Sequence, residues 1–247
     1  MHNQSIQQLA QWIHQANEIV FFGGAGVSTA SGIPDFRSAH GIYAGPHGKT
    51  YEEMLSHDYM LLHPEAFWDF YRNVMLYPDA QPNAAHDALA AMEAAGKLTS
   101  VVTQNIDGLH QTAGSQKVQE LHGSVHRNYC MGCGKRFSLP EILPMDNVPH
   151  CPHCGDVIRP DVVLYGEPLD DDVTAAALRA IRTCDLLIVG GTSLVVYPAA
   201  GMIQYRRARC NLVLINRDDT AYDRQAELVI HQDIGEVLTE AWKLAQE

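Results

Sequence analysis

Short continuous apolar runs alternate with amphipathic segments along most of this chain, the first run enters a glycine-rich turn, and two stretches of different composition interrupt the rhythm. Together these predict an α/β fold, a doubly wound parallel sheet with a small second lobe. In order, an amphipathic helix over Ser5 to Ala16 precedes the strand Ile19 to Phe22, an apolar run suited to a parallel sheet covered on both faces. Further buried strands fall at Leu98 to Thr103, Lys117 to Leu121, Leu186 to Val189, Leu212 to Ile215 and Leu228 to Ile230. Helices over Ala84 to Ala95, Asp172 to Arg182, Pro198 to Arg207 and Gly235 to Ala245 alternate with them. The alternation assigns residues 1–37, 78–126 and 160–247 to a Rossmann-like domain. The interruptions, 38–77 with its aromatics and histidines and 127–159 with four cysteines, are then insertions that form the small lobe.

A chain of 247 residues with 46% hydrophobic content buries one sizeable core and leaves room for such a module. A formal net charge of −12 argues against general affinity for nucleic acid or anionic lipid and suits cationic polypeptide partners. The opening stretch MHNQSIQQLAQWIHQA is polar and amphipathic, and no run approaches the length that spans a bilayer, so the expectation is a soluble, cytoplasmic protein. No heptad seam speaks to an oligomeric state.

Residues Glu18 to Arg37 read EIVFFGGAGVSTASGIPDFR. After the strand the chain must turn sharply. Gly23, Gly24 and Gly26 are expected to allow positive φ and bring backbone N–H groups to a pyrophosphate, with the start of a helix adding its dipole. The spacing departs from G-x-G-x-x-G: the next glycine, Gly32, comes late, and the acidic residue that a dehydrogenase places about 20 residues on is missing, since His40-Gly41-Ile42-Tyr43 is no strand. A tight turn serving only the fold is the bland alternative.

Cys130-Met-Gly-Cys133 and Cys151-Pro-His-Cys154 form two C-x-x-C knuckles at zinc-ribbon spacing. Four thiolates close a tetrahedral shell with no position left for water, so the zinc would be structural rather than catalytic. A redox dithiol or a disulfide pair competes less well, and His150 and His153 read as surface residues. Cys184 and Cys210, beside apolar strands, read as small core residues. Between Arg127 and Arg159 the basic and acidic residues nearly balance, which leaves a zinc ribbon without the basic face that nucleic-acid binding requires.

Polar loops follow the predicted strands, where open α/β sheets bind ligands. Gln104-Asn105-Ile106-Asp107-Gly108 carries an amide that can serve ribose hydroxyls and a carboxylate that can accept from an amide, though a capped turn uses the same residues. His122, at a strand end before Gly123, suits a general base. Gly190-Gly191-Thr192-Ser193 forms a second strand-to-glycine turn with hydroxyls for phosphate or ribose, and Asn216-Arg217-Asp218 a third corner suited to an adenosine. The extended segment Arg159 to Glu167 either pairs with a peptide by strand addition or merely connects the lobes.

In order along nearly the whole chain, GAGVSTASGIPDFRS, TQNIDGLHQTAG, ELHGSVH, the two C-x-x-C pairs, RPDVVLYGE, GTSLVVYPA and Ile215-Asn216 resemble the sirtuin (Sir2) family of NAD-dependent protein lysine deacylases, bacterial in type. The resemblance implies a Rossmann-like domain, a zinc-and-helix lobe, and NAD meeting an acyl-lysine peptide in the cleft between. NAD is then consumed as a co-substrate. It also implies that His122 and Asn105 are catalytic; that Gly24, Ala25, Gly26, Thr29, Asp35 and Arg37 hold phosphates and the nearby ribose; and that Phe36 covers the reactive carbon. Gln104 and Asn105 would orient that ribose, Ile106 and Asp107 contact the carboxamide, and Gly191, Thr192, Ser193, Asn216, Arg217, Asp218 and Asp233 serve the adenosine end. Val163, Tyr165, Gly166 and Val195 would meet the substrate. Members preferring acidic acyl groups carry Tyr and Arg three apart on a helix; here Tyr71 and Arg72 are adjacent, about 100° apart around a helix, which favours acetyl or other neutral acyl groups. Transfer of ADP-ribose to a protein side chain is the principal alternative reading.

Overall fold

The computed structural model describes residues 2–35 and 50–247. Phe36 and Arg37, two of the expected cofactor contacts, lie outside the described residues. Helix α1 (His2–Gln15) leads into β1 (Ile19–Gly23), and two short 3-10 turns, Ala25–Val27 and Thr29–Ser31, follow. The helix expected to begin there is absent; each turn closes within three residues, and Gly32 ends the second in a left-handed conformation (φ 82°) that stops propagation.

Four short helical stretches come next: α2 (Tyr51–Met54), α3 (His57–Leu62) and α4 (Pro64–Phe70), the last running into a π-helical turn at Tyr71–Met75. Then α5 (Ala84–Ala94), β2 (Leu98–Thr103), α6 (Leu109–Thr112) and β3 (Val118–Glu120) return to the large domain. Strands β4 (Gly123–Cys130) and β5 (Arg136–Ser138), helix α7 (Leu139–Ile142) and β6 (Ile158–Val162) build the cysteine-bearing insertion. The remainder is α8 (Asp171–Thr183), β7 (Leu186–Gly190), a 3-10 segment Ala199–Tyr205 where the sequence predicts an α-helix, β8 (Asn211–Ile215), β9 (Leu228–Ile230) and α9 (Ile234–Ala245).

Six parallel strands order as β3-β2-β1-β7-β8-β9. With the insertion set aside, this is the doubly wound order, and it reverses direction between β1 and β7, where such sheets open a crevice. Alternate residues of β1 feed opposite cores: Ile19 and Phe21 join Leu9, Ile13, Leu89 and Val237 on one face, Val20 and Phe22 join Ile181, Leu187 and Ile203 on the other. Side-chain caps start the long helices, with Asp170 accepting from the N–H of Val173 and Asp233 from those of Gly235 and Glu236.

The small lobe has its own antiparallel sheet, β5-β4-β6, pairing from Gly123 to Val162. Its core packs Phe67, Trp68 and Tyr71 of the helical insertion against Phe137, Ile142 and Ile158. Arg72 binds the two insertions together by donating to the carbonyls of Ile142, Leu143 and Asp146 at 3.0–3.2 Å, which satisfies the exposed end of α7. Among the described residues no helix is long and apolar enough to cross a membrane.

Candidate active site

A cleft of about 1150 Å³ opens at the carboxyl ends of β1, β2, β7 and β8 and continues under the small lobe. It exceeds the ~300–1,000 Å³ typical of a single small-molecule pocket, so it has room for two substrates side by side. Its walls include Gly24, Ala25, Gly26, Thr29, Asp35, Gln104, Ile106, His122, Gly191, Thr192, Ser193, Asn216, Arg217, Asp218 and Asp233, together with Val163, Tyr165 and Gly166. Val195 is exposed at 49%, and its neighbour Val196 is the one that lines the wall.

The glycines at the start of the cleft act differently from the sequence expectation. Positive φ belongs to Gly32 and Gly191, not to Gly23, Gly24 or Gly26. What Gly24 and Gly26 supply is close approach: a Cβ on Gly26 would lie 2.8 Å from the Cα of Gly191, and one on Gly24 would lie 2.8 Å from the Cβ of Thr192. The N–H of Gly26 donates to the carbonyl of Gly191 at 2.8 Å, so the two strand-to-glycine turns lie against each other. Asn83 pins the same loop from beneath, its amide donating to the carbonyl of Val27 (2.9 Å) and the hydroxyl of Ser31 (2.8 Å) while its oxygen caps α5.

Beside this cradle, Asn105 and Asp107 line a smaller side pocket with Ala25, Ser28, Ile33, Pro34, Ile106 and His126. Ser28 is buried and joins the two polar residues: its hydroxyl donates to the Asp107 carboxylate at 2.6 Å and accepts from the Asn105 amide at 3.1 Å. The other carboxylate oxygen accepts from the N–H of Leu109 at 2.9 Å. Sequence reading missed Ser28, since one serine within VSTAS carries no signal of its own.

His122 Nδ1 lies 2.9 Å from the carbonyl of Gln104. A carbonyl only accepts, so Nδ1 carries the proton and Nε2 keeps its lone pair. Burial lowers the imidazole's pKa below its ordinary value, opposed in part by that hydrogen bond, so the ring is neutral and ready to take a proton.

At the far end, Thr192 accepts from the Gln104 amide at 3.1 Å, and its N–H donates to Asn216 Oδ1 at 2.9 Å. The amide nitrogen of Asn216 is buried with no partner among the described residues, on a wall of the cleft. Arg217 pairs with Asp233 at 2.8 Å. Burial works to raise the Asp233 pKa, but the N–H groups at the start of α9 and the Arg217 guanidinium outweigh it and hold the carboxyl below its ordinary value. An unsatisfied amide donor on the wall of a cleft at the carboxyl ends of a parallel sheet, beside two closely packed glycine turns, fits a dinucleotide.

On the opposite wall, the N–H of Val163 donates to the carbonyl of His122 at 3.0 Å, tying the connector to the histidine. Tyr165 exchanges backbone hydrogen bonds with Leu55 and His57, and the Arg159–Glu167 ion pair, with Glu167 also accepting from the N–H of Leu164, folds the segment back. Among the described lining residues the one guanidinium is Arg217, at the distant end; Arg72 points away into α7.

The four knuckle cysteines converge. A zinc–sulfur bond of about 2.3 Å puts tetrahedral sulfurs about 3.8 Å apart. Here Cys130 and Cys154 sulfurs are 3.3 Å apart, Cys133 and Cys151 sulfurs 3.7 Å, and all four lie within 4.8 Å of one another. Gly134 and Gly155, both left-handed, close the knuckles. The set fits a zinc ion in a closed shell away from the cleft, while His150 turns instead to the carbonyl of Gly155. Cys184 and Cys210 are buried thiols of the large domain's core.

The profile of the Sir2 family matches residues 24–198. An NAD-dependent protein deacetylase of Clostridium acetobutylicum is 54% identical over 94% of this chain and 96% of its own. A structure described as "Structural Basis for the Mechanism and Regulation of Sir2 Enzymes" superposes with a TM-score of 0.90 at 35% identity, covering 99% of this chain and 98% of the other. Another, "Sir2-p53 peptide-NAD+", gives 0.86 at 37% identity over 96% and 97%. On a family profile spanning most of its length, and a relative more than half identical from end to end, this chain belongs to the Sir2 family.

Proposed function

We propose that the protein is an NAD-dependent protein lysine deacetylase, active on acetyl and other neutral acyl groups. It would turn acyl-lysine, NAD and water into lysine, nicotinamide and O-acyl-ADP-ribose. The observation that carries this is the neutral His122, its Nδ1–H fixed on the Gln104 carbonyl, beside a pocket where Ser28 joins Asn105 to Asp107.

When bound, NAD supplies a ribose carbon that becomes electrophilic as nicotinamide leaves and is captured by the acyl oxygen. Asp107 and Ile106 hold the departing carboxamide, Gln104 and Asn105 the ribose hydroxyls, and His122 Nε2 removes the proton of the hydroxyl that then attacks the acyl carbon. The glycine turn, with Ala25, Thr29 and Asp35, takes the phosphates and nearby ribose. Gly191 to Ser193 and Asn216 to Asp218, steadied by Asp233, take the adenosine. Val163 to Gly166 would pair with the peptide, and Val195 would meet it at the rim. With no cation at the acyl end among the described residues, an acidic acyl group would lose its hydration unpaired, which supports neutral groups. Residues 1–37, 78–126 and 160–247 would form the cofactor domain, and 38–77 with 127–159 the small lobe. A formal net charge of −12 supports an absence of specific nucleic-acid binding, and a cytoplasmic location is part of the same proposal.

Acetyl-peptide and NAD incubated with the protein should yield peptide-dependent nicotinamide and O-acetyl-ADP-ribose, and His122→Ala should lower the rate about 10²–10⁴-fold. Label retained on protein would favour ADP-ribosyl transfer. Equal rates for wild type and variant would refute the assignment of His122.

A further inference from the structure

Strand β4 begins beside His122, ends at the zinc ligand Cys130, and loses its regular pairing with β6 between Ser124 and Asn128. The residues released by that irregularity turn to the catalytic loop. The N–H of Val125 donates to the carbonyl of Ile106 at 3.0 Å, and His126 Nε2 lies 2.8 Å from the carbonyl of Asp107. Because a carbonyl only accepts, Nε2 carries the proton of this hydrogen bond. The ring lies against Gly108, where φ is +72° and a Cβ would come within 2.7 Å of the imidazole. His126 also lines the side pocket that holds Ser28, Asn105 and Asp107.

We infer that His126 is a positioning residue: by fixing the Asp107 peptide from the small-lobe strand, it aims the Asp107 carboxylate at the carboxamide of the bound nicotinamide. The carboxylate is fixed at its oxygens by Ser28 and the Leu109 N–H, and these contacts set its direction only if the backbone bearing it is also held. His126 supplies the second hold. The hydrogen-bonding imidazole, the left-handed glycine that admits it and the strand irregularity that delivers it all serve that one contact. The inference rests on the reading above that nicotinamide occupies the side pocket.

The test uses His126→Ala and His126→Gln, the latter restoring an N–H at similar reach. Calorimetry should show His126→Ala weakening nicotinamide binding about tenfold, and the KM for NAD should rise by a similar factor with the KM for acetyl-peptide changed less than twofold. His126→Gln should recover most of the loss. With 3-acetylpyridine adenine dinucleotide, which lacks the amide donors, wild type and His126→Ala should match. Nitrogen NMR of the free protein should show the His126 ring protonated at Nε2. Equal losses with both dinucleotides, a glutamine variant no better than alanine, or the Nδ1 tautomer would overturn the inference. If wild type binds neither nicotinamide nor NAD, the reading of the pocket itself fails, while the tautomer still reports whether His126 holds Asp107.

Discussion

His110 is 1% exposed, meets His86 edge to face with ring centroids 4.8 Å apart and Phe21 at a tilt at 6.1 Å, and neither of its ring nitrogens has a hydrogen-bond partner among the described residues. Burial first, and then the neighbouring His86, pulls its pKa from 6.5 to about 3. Above the unfolded value both states hold a neutral ring and pH has no leverage. As pH falls below it, the unfolded chain takes up a proton that the native state refuses, and stability drains away until about pH 3. At about pH 5 the gap is ~1.5 pH units of unfolded-state protonation, or about 2 kcal/mol. Replacing His110 with Phe keeps a ring of similar size, removes two unsatisfied polar atoms and abolishes the titration. In urea denaturation, His110→Phe should therefore be near-neutral or slightly stabilising at about pH 7.5, and gain about 2 kcal/mol over wild type at about pH 5. Acid also protonates the zinc cysteines, but equally in both proteins, so the difference between them reports His110 together with its coupling to His86. A variant-minus-wild-type difference that stays constant within about 0.5 kcal/mol between the two pH values would refute the reasoning.

Ser28→Ala leaves Asp107 without its hydroxyl donor and Asn105 without its acceptor; at about 1–3 kcal/mol, nicotinamide release should slow roughly 5- to 150-fold while the melting temperature stays within a few degrees. Stripping the zinc with a chelator, or Cys133→Ser, should melt the small lobe, and Trp68, 1% exposed in that lobe's core, should report it as a red shift in fluorescence reversed by zinc but not magnesium.

Strands were largely legible in the sequence because their apolar runs are local and short: Leu98 to Thr103 and Leu228 to Ile230 appear with the ends their composition implies. The cysteine spacing was legible for the same reason, since each knuckle is made by neighbours. His122 and the Gln104 to Asp107 loop stood out because they follow strands, where parallel sheets present their loops together. The reading erred where a local pattern was asked to report a distant contact. Gly24 and Gly26 looked like turn glycines, yet they are small because the β7 turn lies against them. The helix expected after the glycine loop gave way to 3-10 turns held by Asn83, a residue far along the chain.

Composition, periodicity and spacing determined by themselves that this chain is a doubly wound sheet with a four-cysteine module, because hydrophobic burial and thiolate geometry act over a few residues. Only the tertiary structure decided which polar groups meet. Ser28 reaches Asp107 because β1 and β2 are neighbours, His122 is neutral because the fold buries it while the Gln104 carbonyl fixes its proton on Nδ1, and His126 reaches the same loop because β4 breaks its pairing there. Those contacts join residues far apart in sequence, and strand order, absent from any local pattern, places them within hydrogen-bonding distance.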